Sequence, residues 1–168
     1  MKVILYMAMS VNGMIAKEND DTPWSDEIWK NYYKTAKRFK AIIVGRRTYD
    51  LMNSVNEFGK IGNPFVIVLS HQKKDKNQKH TFLQDPNQAI ELLNKKKFKE
   101  VLLGGGGTVN GLFMKENLID EIYLDIEPKV FEKGIHLFGD SDFDADLKLL
   151  NVKKISKNLI QLHYKVEK

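Results

Sequence analysis

Short apolar runs alternate with amphipathic stretches along most of the chain, and the two patterns predict different elements. An apolar run of roughly four to eight residues, bounded by polar residues or glycine, is typical of a strand that is buried on both faces. Such runs predict strands at Lys2–Met9, Ala41–Val44, Phe65–Leu69, His80–Leu83 and Val101–Leu103. Glu121–Glu127 alternates between apolar and polar positions, which predicts a strand with two unlike faces.

Helical periodicity fills the intervals between these strands. Apolar residues recur at helical spacing over Ser25–Phe39, and the leading serine is a typical N-cap residue. Asp85-Pro86 supplies an N-cap residue followed by a first-turn proline for another helix. Shorter helices are predicted over Arg46–Met52 and Thr108–Asn117.

The last part of the sequence predicts a β-hairpin. Leu147–Ile155 and Leu159–Val166 flank the turn-forming triplet Ser156-Lys157-Asn158. Because strands and helices alternate before this hairpin, we expect an α/β fold with a mostly parallel central sheet flanked by helices, to which the hairpin adds an antiparallel edge. We expect a single domain over residues 1–168, in which the lysine-rich segment His71–His80 forms an exposed loop.

Composition narrows the possible functions. The 168 residues contain no cysteine, which excludes disulfides, thiolate zinc sites and thiol nucleophiles. Apolar runs stay well short of the ~20 residues of a membrane helix, and the N-terminal apolar run is too short for a signal peptide. We therefore expect a cytoplasmic protein with no membrane partner. The net charge of +5 indicates either an anionic partner or a lysine-rich solvated surface. Basic residues do not interleave with aromatic ones, so we expect no nucleic-acid partner, and no spacing of histidines with carboxylates predicts a metal site.

Four consecutive glycines, Gly104–Gly107, follow a predicted strand and precede a predicted helix. A backbone without side chains can approach a ligand closely, and the helix N-terminus supplies free N–H donors for a phosphate. A tight structural turn is the alternative interpretation. Two other predicted strands end at Gly45–Thr48 and Leu69–His71, which carry arginine, threonine, serine and histidine donors. Three such strand ends favour a phosphate-bearing ligand, although Arg46 and Arg47 also fit an ordinary exposed surface.

Four segments, in order along nearly the whole chain, match the patterns of a known family. Ser10–Ala16 is similar to S-x-D-G-x-I-A, and Val44–Thr48 is similar to V-G-x-x-T. The glycine run through Gly111 is similar to G-G-x-x-x-x-G, and Asp120–Phe138 is similar to an ending with D-E, P, G and L-F. The sequence thus resembles the dihydrofolate-reductase-like superfamily, and most of all the C-terminal reductase domain of bifunctional riboflavin-biosynthesis enzymes.

This resemblance implies an NADPH-dependent reductase. By analogy, the two arginines and the Ser70-His71 pair surround the adenosine 2′-phosphate, the glycine run lies beside the pyrophosphate, and Ala8 and Ile15 flank the nicotinamide. The implied cofactor-binding residues are Ala8, Ile15, Gly45, Arg46, Arg47, Thr48, Leu69, Ser70, His71, Gly104, Gly105, Gly106, Gly107, Thr108 and Val109. The resemblance also implies a non-proline cis peptide bond at Gly105–Gly106.

The implied substrate is a small pyrimidine- or pterin-like heterocycle. The first candidate is 5-amino-6-(5-phosphoribosylamino)uracil of riboflavin biosynthesis, the second is dihydrofolate, and a non-catalytic nucleotide-binding module of the same fold is the third interpretation. The implied substrate-binding residues are Asn12, Trp24, Trp29 and Tyr33, of which the tryptophans also fit core packing. The implied catalytic residues, for substrate anchoring or acid assistance, are Asp125 and Glu127, which also fit exposed strand carboxylates. Related reductase domains imply a homodimer.

Three positions depart from the family patterns. Gly104 stands where riboflavin-pathway reductases carry a glutamate before the paired glycines. Asp50-Leu51-Met52 stands where they carry an Asp-Pro pair and then an arginine that holds the ribose phosphate. Trp29 stands where folate reductases anchor the pterin with a carboxylate. Gly104 therefore predicts weak activity on the phosphoribosyl substrate.

Overall fold

Strands from both ends of the chain build one eight-stranded sheet, in a computed structural model that describes residues 1–72 and 80–168. The strands are β1 (Lys2–Ser10), β2 (Met14–Ala16), β3 (Ala41–Gly45), β4 (Phe65–Leu69), β5 (Thr81–Leu83), β6 (Glu100–Leu103), β7 (Glu121–Glu127), β8 (Ile135–His136), β9 (Leu147–Lys154) and β10 (Ile160–Val166). The helices are α1 (Asp26–Ala36), α2 (Arg46–Ser54), α3 (Glu57–Lys60), α4 (Pro86–Lys95) and α5 (Gly107–Lys115).

The order of strands in the large sheet is β5-β4-β3-β6-β1-β7-β10-β9. Neighbouring strands pair in parallel from β5 to β7, whereas β10 is antiparallel to both β7 and β9. The predicted α/β fold with a C-terminal antiparallel hairpin is therefore confirmed. Because the parallel strands point the same way, the carboxyl ends of β3, β4 and β6 meet at one edge of the sheet, which is where ligands bind in open α/β sheets.

Both faces of the parallel strands are covered, which explains why their sequences are apolar without alternation. On one face, Leu93 of α4 and Phe113 of α5 belong to the same core cluster as Ile43. On the other face, Phe58 of α3 belongs to a second cluster with Ile42. Ile42 and Ile43 are adjacent in β3 and both are fully buried. Successive residues of this strand therefore face the two cores in alternation.

The sequence pattern does not predict the small elements. A two-stranded antiparallel sheet of β2 and β8, and the single turn of α3, have no counterpart among the expected elements. Their lengths of three, two and four residues are too short for hydrophobic periodicity. Gly13, with φ of +85°, turns the chain from β1 into β2. These elements matter because β2, β8 and α3 all contribute residues to the candidate site.

The two expected helix caps have different outcomes. The Asp85 carboxylate accepts a hydrogen bond from the backbone N–H of Asn87 at 2.8 Å, so this cap is confirmed. Ser25 holds the N-cap position of α1, but its side chain makes no capping bond. Its hydroxyl donates instead to Glu127 Oε2 at 2.8 Å. The hydroxyl that the local pattern assigns to the helix N-terminus therefore donates to a carboxylate far away in the sequence.

Two expectations concern the exterior of the molecule. No helix in the described part of the chain is long and apolar enough to cross a membrane. The expected loop His71–His80 falls mainly on residues 73–79, so its lysines lie outside the described residues. These lysines are Lys73, Lys74, Lys76 and Lys79.

Gly111 of α5 lies against the segment that follows β8. A Cβ atom at this position would collide with the Phe138 carbonyl oxygen and with the Ser141 hydroxyl. Alanine normally favours a helix over glycine by about 1 kcal/mol. The sign of the stability change in Gly111→Ala therefore distinguishes a close contact, which destabilises, from open space, which stabilises. We expect Gly111→Ala to lower the free energy of unfolding, measured in urea, by about 1–3 kcal/mol because of this overpacking. Lys115→Ala, at an exposed position of the same helix, should change it by less than about 0.5 kcal/mol. A more stable Gly111→Ala variant would contradict the close approach.

Candidate active site

The carboxyl ends of β3, β4 and β6 open into a cleft of about 480 Å³. Gly45 pairs with Leu69 across β3 and β4, and Ile43 pairs with Leu103 across β3 and β6, so the three strand ends lie side by side. The predicted cofactor residues that line this cleft are Ile15, Gly45, Arg46, Arg47, Thr48, Leu69, Ser70, His71, Gly104, Gly106, Gly107, Thr108 and Val109. Ala8 lines a neighbouring cavity instead.

Gly105 does not line the cleft, but it contacts Gly45, which does. Its carbonyl oxygen accepts a hydrogen bond from the N–H of Gly45 at 2.7 Å. The Gly105–Gly106 peptide bond is cis, as the family resemblance implies, and Gly105 has φ of +83°, which favours glycine. A Cβ atom on Gly45 would lie 2.9 Å from Val109 Cγ2. The end of β3 and the start of α5 are therefore as close as the glycines allow.

Helix α5 presents its N-terminus to the cleft, because Gly106, Gly107 and Thr108 all line it. Gly106 is the N-cap residue, and no side chain within residues 1–72 and 80–168 caps the first-turn N–H groups. Free N–H groups and the positive end of the helix dipole suit an anion such as a pyrophosphate. Asn110 is buried one turn further on, and its Nδ2 donates to the Leu137 carbonyl at 2.8 Å. That bond fixes α5 against the segment after β8.

The two arginines that begin α2 already have partners within the chain. Arg46 Nε donates to both carboxylate oxygens of Asp50, at 2.9 and 3.0 Å. Arg47 Nε donates to Asp20 at 2.5 Å, and its Nη2 donates to the Glu18 carbonyl at 3.3 Å. Because a guanidinium carries five N–H donors, each arginine keeps donors for a phosphate. The Arg47–Asp20 pair also ties the loop between β2 and α1 to the edge of the cleft.

A second cavity of about 330 Å³ adjoins the cleft. The residues that line both are Met7, Ile15, Asp20, Thr22, Thr48, Leu51 and Gly104. Trp24, Trp29 and Tyr32 line the second cavity but not the cleft. Trp24 also stacks on Phe131 with ring centroids 5.7 Å apart, so it combines packing with cavity lining. Apolar and aromatic walls of this kind suit a flat heterocycle.

Asp125 is fully buried and is not among the residues that line either cavity. Its carboxylate accepts hydrogen bonds from the Tyr6 hydroxyl at 2.5 Å, Asn31 Nδ2 at 2.8 Å and Gln161 Nε2 at 2.7 Å. Burial is the main reason that its pKa is raised, and the three hydrogen bonds oppose that shift. The predicted catalytic residue Asp125 therefore has no direct contact with either cavity, and its carboxylate instead holds Tyr6, which lines the second cavity.

Glu127 is also buried, at 4% exposure, and it lines neither cavity. Its Oε2 accepts from the backbone N–H of Ser25 at 3.2 Å and from the Ser25 hydroxyl at 2.8 Å. These bonds anchor the chain between Trp24 and α1, so the predicted catalytic residue Glu127 contacts the segment that carries Trp24 and not the cavity itself. Because Asp125 and Glu127 are both buried, the alternative of exposed strand carboxylates is wrong.

Asn12 and Tyr33 line neither cavity. Asn12 Nδ2 donates to the Phe131 carbonyl at 2.7 Å, which fastens the turn after β1 to the segment after β7. Phe131 in turn stacks on Trp24. Tyr33 stacks on Trp29 with ring centroids 6.0 Å apart. Both predicted substrate-binding residues therefore contact the aromatic wall, and neither of them faces the cavities.

No sequence pattern singles out Glu57, the first residue of α3. Its side chain is buried, and it contributes to the wall of the second cavity. A single glutamate among many charged residues carries no sequence signal, and a four-residue helix shows no periodicity. The preceding residue, Asn56, is the N-cap of α3 and has a left-handed backbone conformation with φ of +53°. This conformation cannot be read from the sequence.

The chain is similar to known proteins over its whole length. The model of the RibD C-terminal domain family matches residues 1–161. The uncharacterized protein YwjB of Bacillus subtilis (strain 168) is 29% identical over 172 residues, which cover 97% of each chain. A candidate dihydrofolate reductase of Caenorhabditis elegans is 28% identical, over 94% of this chain and 87% of its own length. The crystal structure of a candidate riboflavin biosynthesis protein from Shewanella sp. PV-4 matches with a TM-score of 0.84 at 23% identity, over all of both chains.

Removal of the Asp125 carboxylate tests its positioning role. Asp125→Ala would leave the Tyr6 hydroxyl and two amides without their buried acceptor. We expect the free energy of unfolding to fall by about 2–4 kcal/mol in chemical denaturation. Asp125→Asn keeps an acceptor for Tyr6, and the Gln161 amide can turn its oxygen toward the new NH₂ group, so its loss should be less than about half as large. Equal losses in the two variants would contradict the hydrogen-bond account.

Proposed function

Because the chain belongs to the RibD C-terminal domain family, we propose that it is an NADPH-dependent reductase that acts on a pyrimidine- or pterin-like heterocycle. The observation that carries this proposal is a cleft with phosphate donors that adjoins an aromatic cavity. A relative named for dihydrofolate reduction and a structural neighbour named for riboflavin biosynthesis support a reductase of this type.

The donor set of the cleft fits a phosphorylated dinucleotide. Arg46, Arg47, Ser70 and His71 supply charged and polar groups for a 2′-phosphate. The uncapped N-terminus of α5 supplies N–H donors for a pyrophosphate. Met7, which lines both cavities, marks where the reacting end of the cofactor would meet the substrate.

The bound cofactor would supply a hydride from nicotinamide C4 to an electrophilic carbon of the substrate. Water would supply the balancing proton to the adjacent heteroatom, since neither Asp125 nor Glu127 lines the cavity. The chain's contribution is orientation: the aromatic wall of Trp29 and Tyr32 fixes the plane of the heterocycle, and the glycine turn fixes the cofactor phosphates.

Loss of either arginine should weaken the binding of NADPH selectively. We expect Arg46→Ala and Arg47→Ala each to raise the Kd for NADPH by about tenfold or more, and the Kd for NADH by little, because only NADPH carries the 2′-phosphate. Quenching of the Trp24 and Trp29 fluorescence measures both constants. Arg38→Ala is the control, since this exposed arginine lies outside both cavities. The proposal fails if the wild-type chain binds neither cofactor at millimolar concentration.

Turnover distinguishes the interpretations within this proposal. NADPH oxidation measured with dihydrofolate and with 5-amino-6-(5-phosphoribosylamino)uracil identifies the substrate. We expect weak activity on the phosphoribosyl compound, because Gly104 replaces the glutamate that such reductases carry before their paired glycines. NADPH binding without turnover of any heterocycle would indicate the non-catalytic module instead.

We also propose that the chain forms a homodimer. β9 is an edge strand whose eight residues are all exposed, and Leu147, Leu149 and Val152 pair with β10 residues on one face of the sheet. We expect light scattering to give a mass of twice 19.4 kDa, and Leu149→Lys to shift it toward the monomer. Val130→Lys, at an exposed apolar position outside β9, should leave the mass unchanged. A monomeric wild-type chain would contradict the proposal.

A further inference from the structure

We infer that the second cavity takes an unphosphorylated planar heterocycle and that Glu57 anchors it by accepting hydrogen bonds from its ring N–H or amino groups. This inference rests on the proposed function, because it names the substrate class of the same site. Two observations carry it: the hydrogen-bond state of the Glu57 carboxylate, and the charges along the cavity wall.

Only one of the two oxygens of the Glu57 carboxylate has a partner among the described residues. The residue is 6% exposed, and its Oε2 forms an ion pair with Lys60 Nζ at 3.2 Å. Its Oε1 is buried and has no hydrogen-bond partner within residues 1–72 and 80–168. Lys60 is half-exposed, so this pair contributes little stability. A buried carboxylate oxygen without a donor is costly and calls for an external partner.

Charge along the wall disfavours a phosphate in this cavity. Among the described residues that line it there is no lysine, arginine or histidine, and its charged side chains are Asp20 and Glu57. Asp20 is paired with Arg47 at 2.5 Å and Glu57 with Lys60 at 3.2 Å, but neither cation lines the cavity, so the side chains that face it carry the negative charge. A phosphate there would meet like charge in a partly dehydrated site, whereas the neighbouring cleft offers Arg46 and Arg47.

The walls beside Glu57 favour a flat ring. Trp29 and Tyr32 pack edge to face with centroids 6.0 Å apart, and both line the cavity together with Met52. An aromatic or heteroaromatic ring can stack on these surfaces while its edge reaches a carboxylate. A few well-placed polar groups in an otherwise apolar cavity fix the orientation of such a ligand.

Tyr33 is the competing donor within the chain. Burial raises the pKa of its phenol, and the neighbouring Glu57 carboxylate raises it further. If the Tyr33 hydroxyl satisfied Oε1 in solution, Glu57 would be a structural residue. The experiment must therefore separate a structural carboxylate from one that is held for a ligand.

Calorimetric titration with two probes makes this separation. The probes are 2,4-diaminopyrimidine, which is flat and rich in N–H donors, and uridine 5′-monophosphate, which carries a phosphate. The full chain is titrated with and without saturating NADPH. We expect the wild-type chain to bind the diaminopyrimidine more tightly than the monophosphate. Glu57→Gln should raise the Kd for the diaminopyrimidine by about tenfold or more, since a charge-assisted hydrogen bond is lost.

Glu91→Gln is the matched control, because Glu91 is an exposed glutamate that pairs with Lys95 on α4. It should leave both dissociation constants unchanged. The inference is overturned if Glu57→Gln binds the diaminopyrimidine as tightly as the wild-type chain does. It is also overturned if the wild-type chain prefers the monophosphate or binds no diaminopyrimidine. Failure of NADPH to bind in the same preparation would sink the proposed function separately.

Thermal denaturation of the ligand-free variants supplies the second measurement. A carboxylate held for a ligand costs stability in the free protein, so Glu57→Gln should keep or raise the Tm. Tyr33→Phe should keep the affinity for the diaminopyrimidine within about twofold, because it keeps the ring that stacks on Trp29 and removes only a hydroxyl of a residue that lines neither cavity. A lower Tm in both Glu57→Gln and Tyr33→Phe would overturn the inference, since it would show that the two side chains stabilise each other.

Discussion

Two backbone hydrogen bonds dock the glycine turn after β6 onto the neighbouring strand β3. The Gly104 N–H donates to the Ile43 carbonyl at 2.9 Å, and the Gly45 N–H donates to the Gly105 carbonyl at 2.7 Å. This docking holds the N-terminus of α5 beside the N-terminus of α2, because each helix begins directly after one of the docked segments. The cleft between them exists only while the turn stays in place. Its phosphate donors are therefore positioned by main-chain geometry, with side chains added at the rim.

Charge divides the site into two regions with different ligands. Arginine and histidine side chains border the cleft, whereas the described residues around the adjoining cavity include carboxylates and no cation. The Arg47–Asp20 pair lies at the border, and Asp20 lines both spaces. A ligand with phosphates is thus favoured on one side and a ring with N–H donors on the other. The family pattern alone leads to a phosphoribosyl substrate, and this division of charge argues against it.

Most of the fold and the strand ends that border the cleft can be predicted from the sequence, because they depend on local patterns. Apolar runs identify the buried strands and four glycines identify the turn, whereas its cis bond is implied by the family resemblance. The substrate side depends on tertiary contacts that no local pattern contains. Alternation along β7 correctly gives Asp125 and Glu127 a polar face, but it does not reveal that Tyr6, Asn31 and Ser25 cover that face. The burial of Glu57 cannot be predicted from the sequence for the same reason, since α3 is a single turn whose burial depends on its neighbours.

A crystal structure of the chain with NADPH tests the central claim most directly, which is that one ligand occupies the cleft and another the aromatic cavity. The account predicts the 2′-phosphate within hydrogen-bonding distance of Arg46 or Arg47 and the pyrophosphate at the N-terminus of α5. The nicotinamide should lie beside Met7, with the space between Trp29 and Glu57 still open. A phosphate bound in the aromatic cavity, or a dinucleotide bound outside the cleft, would contradict the account.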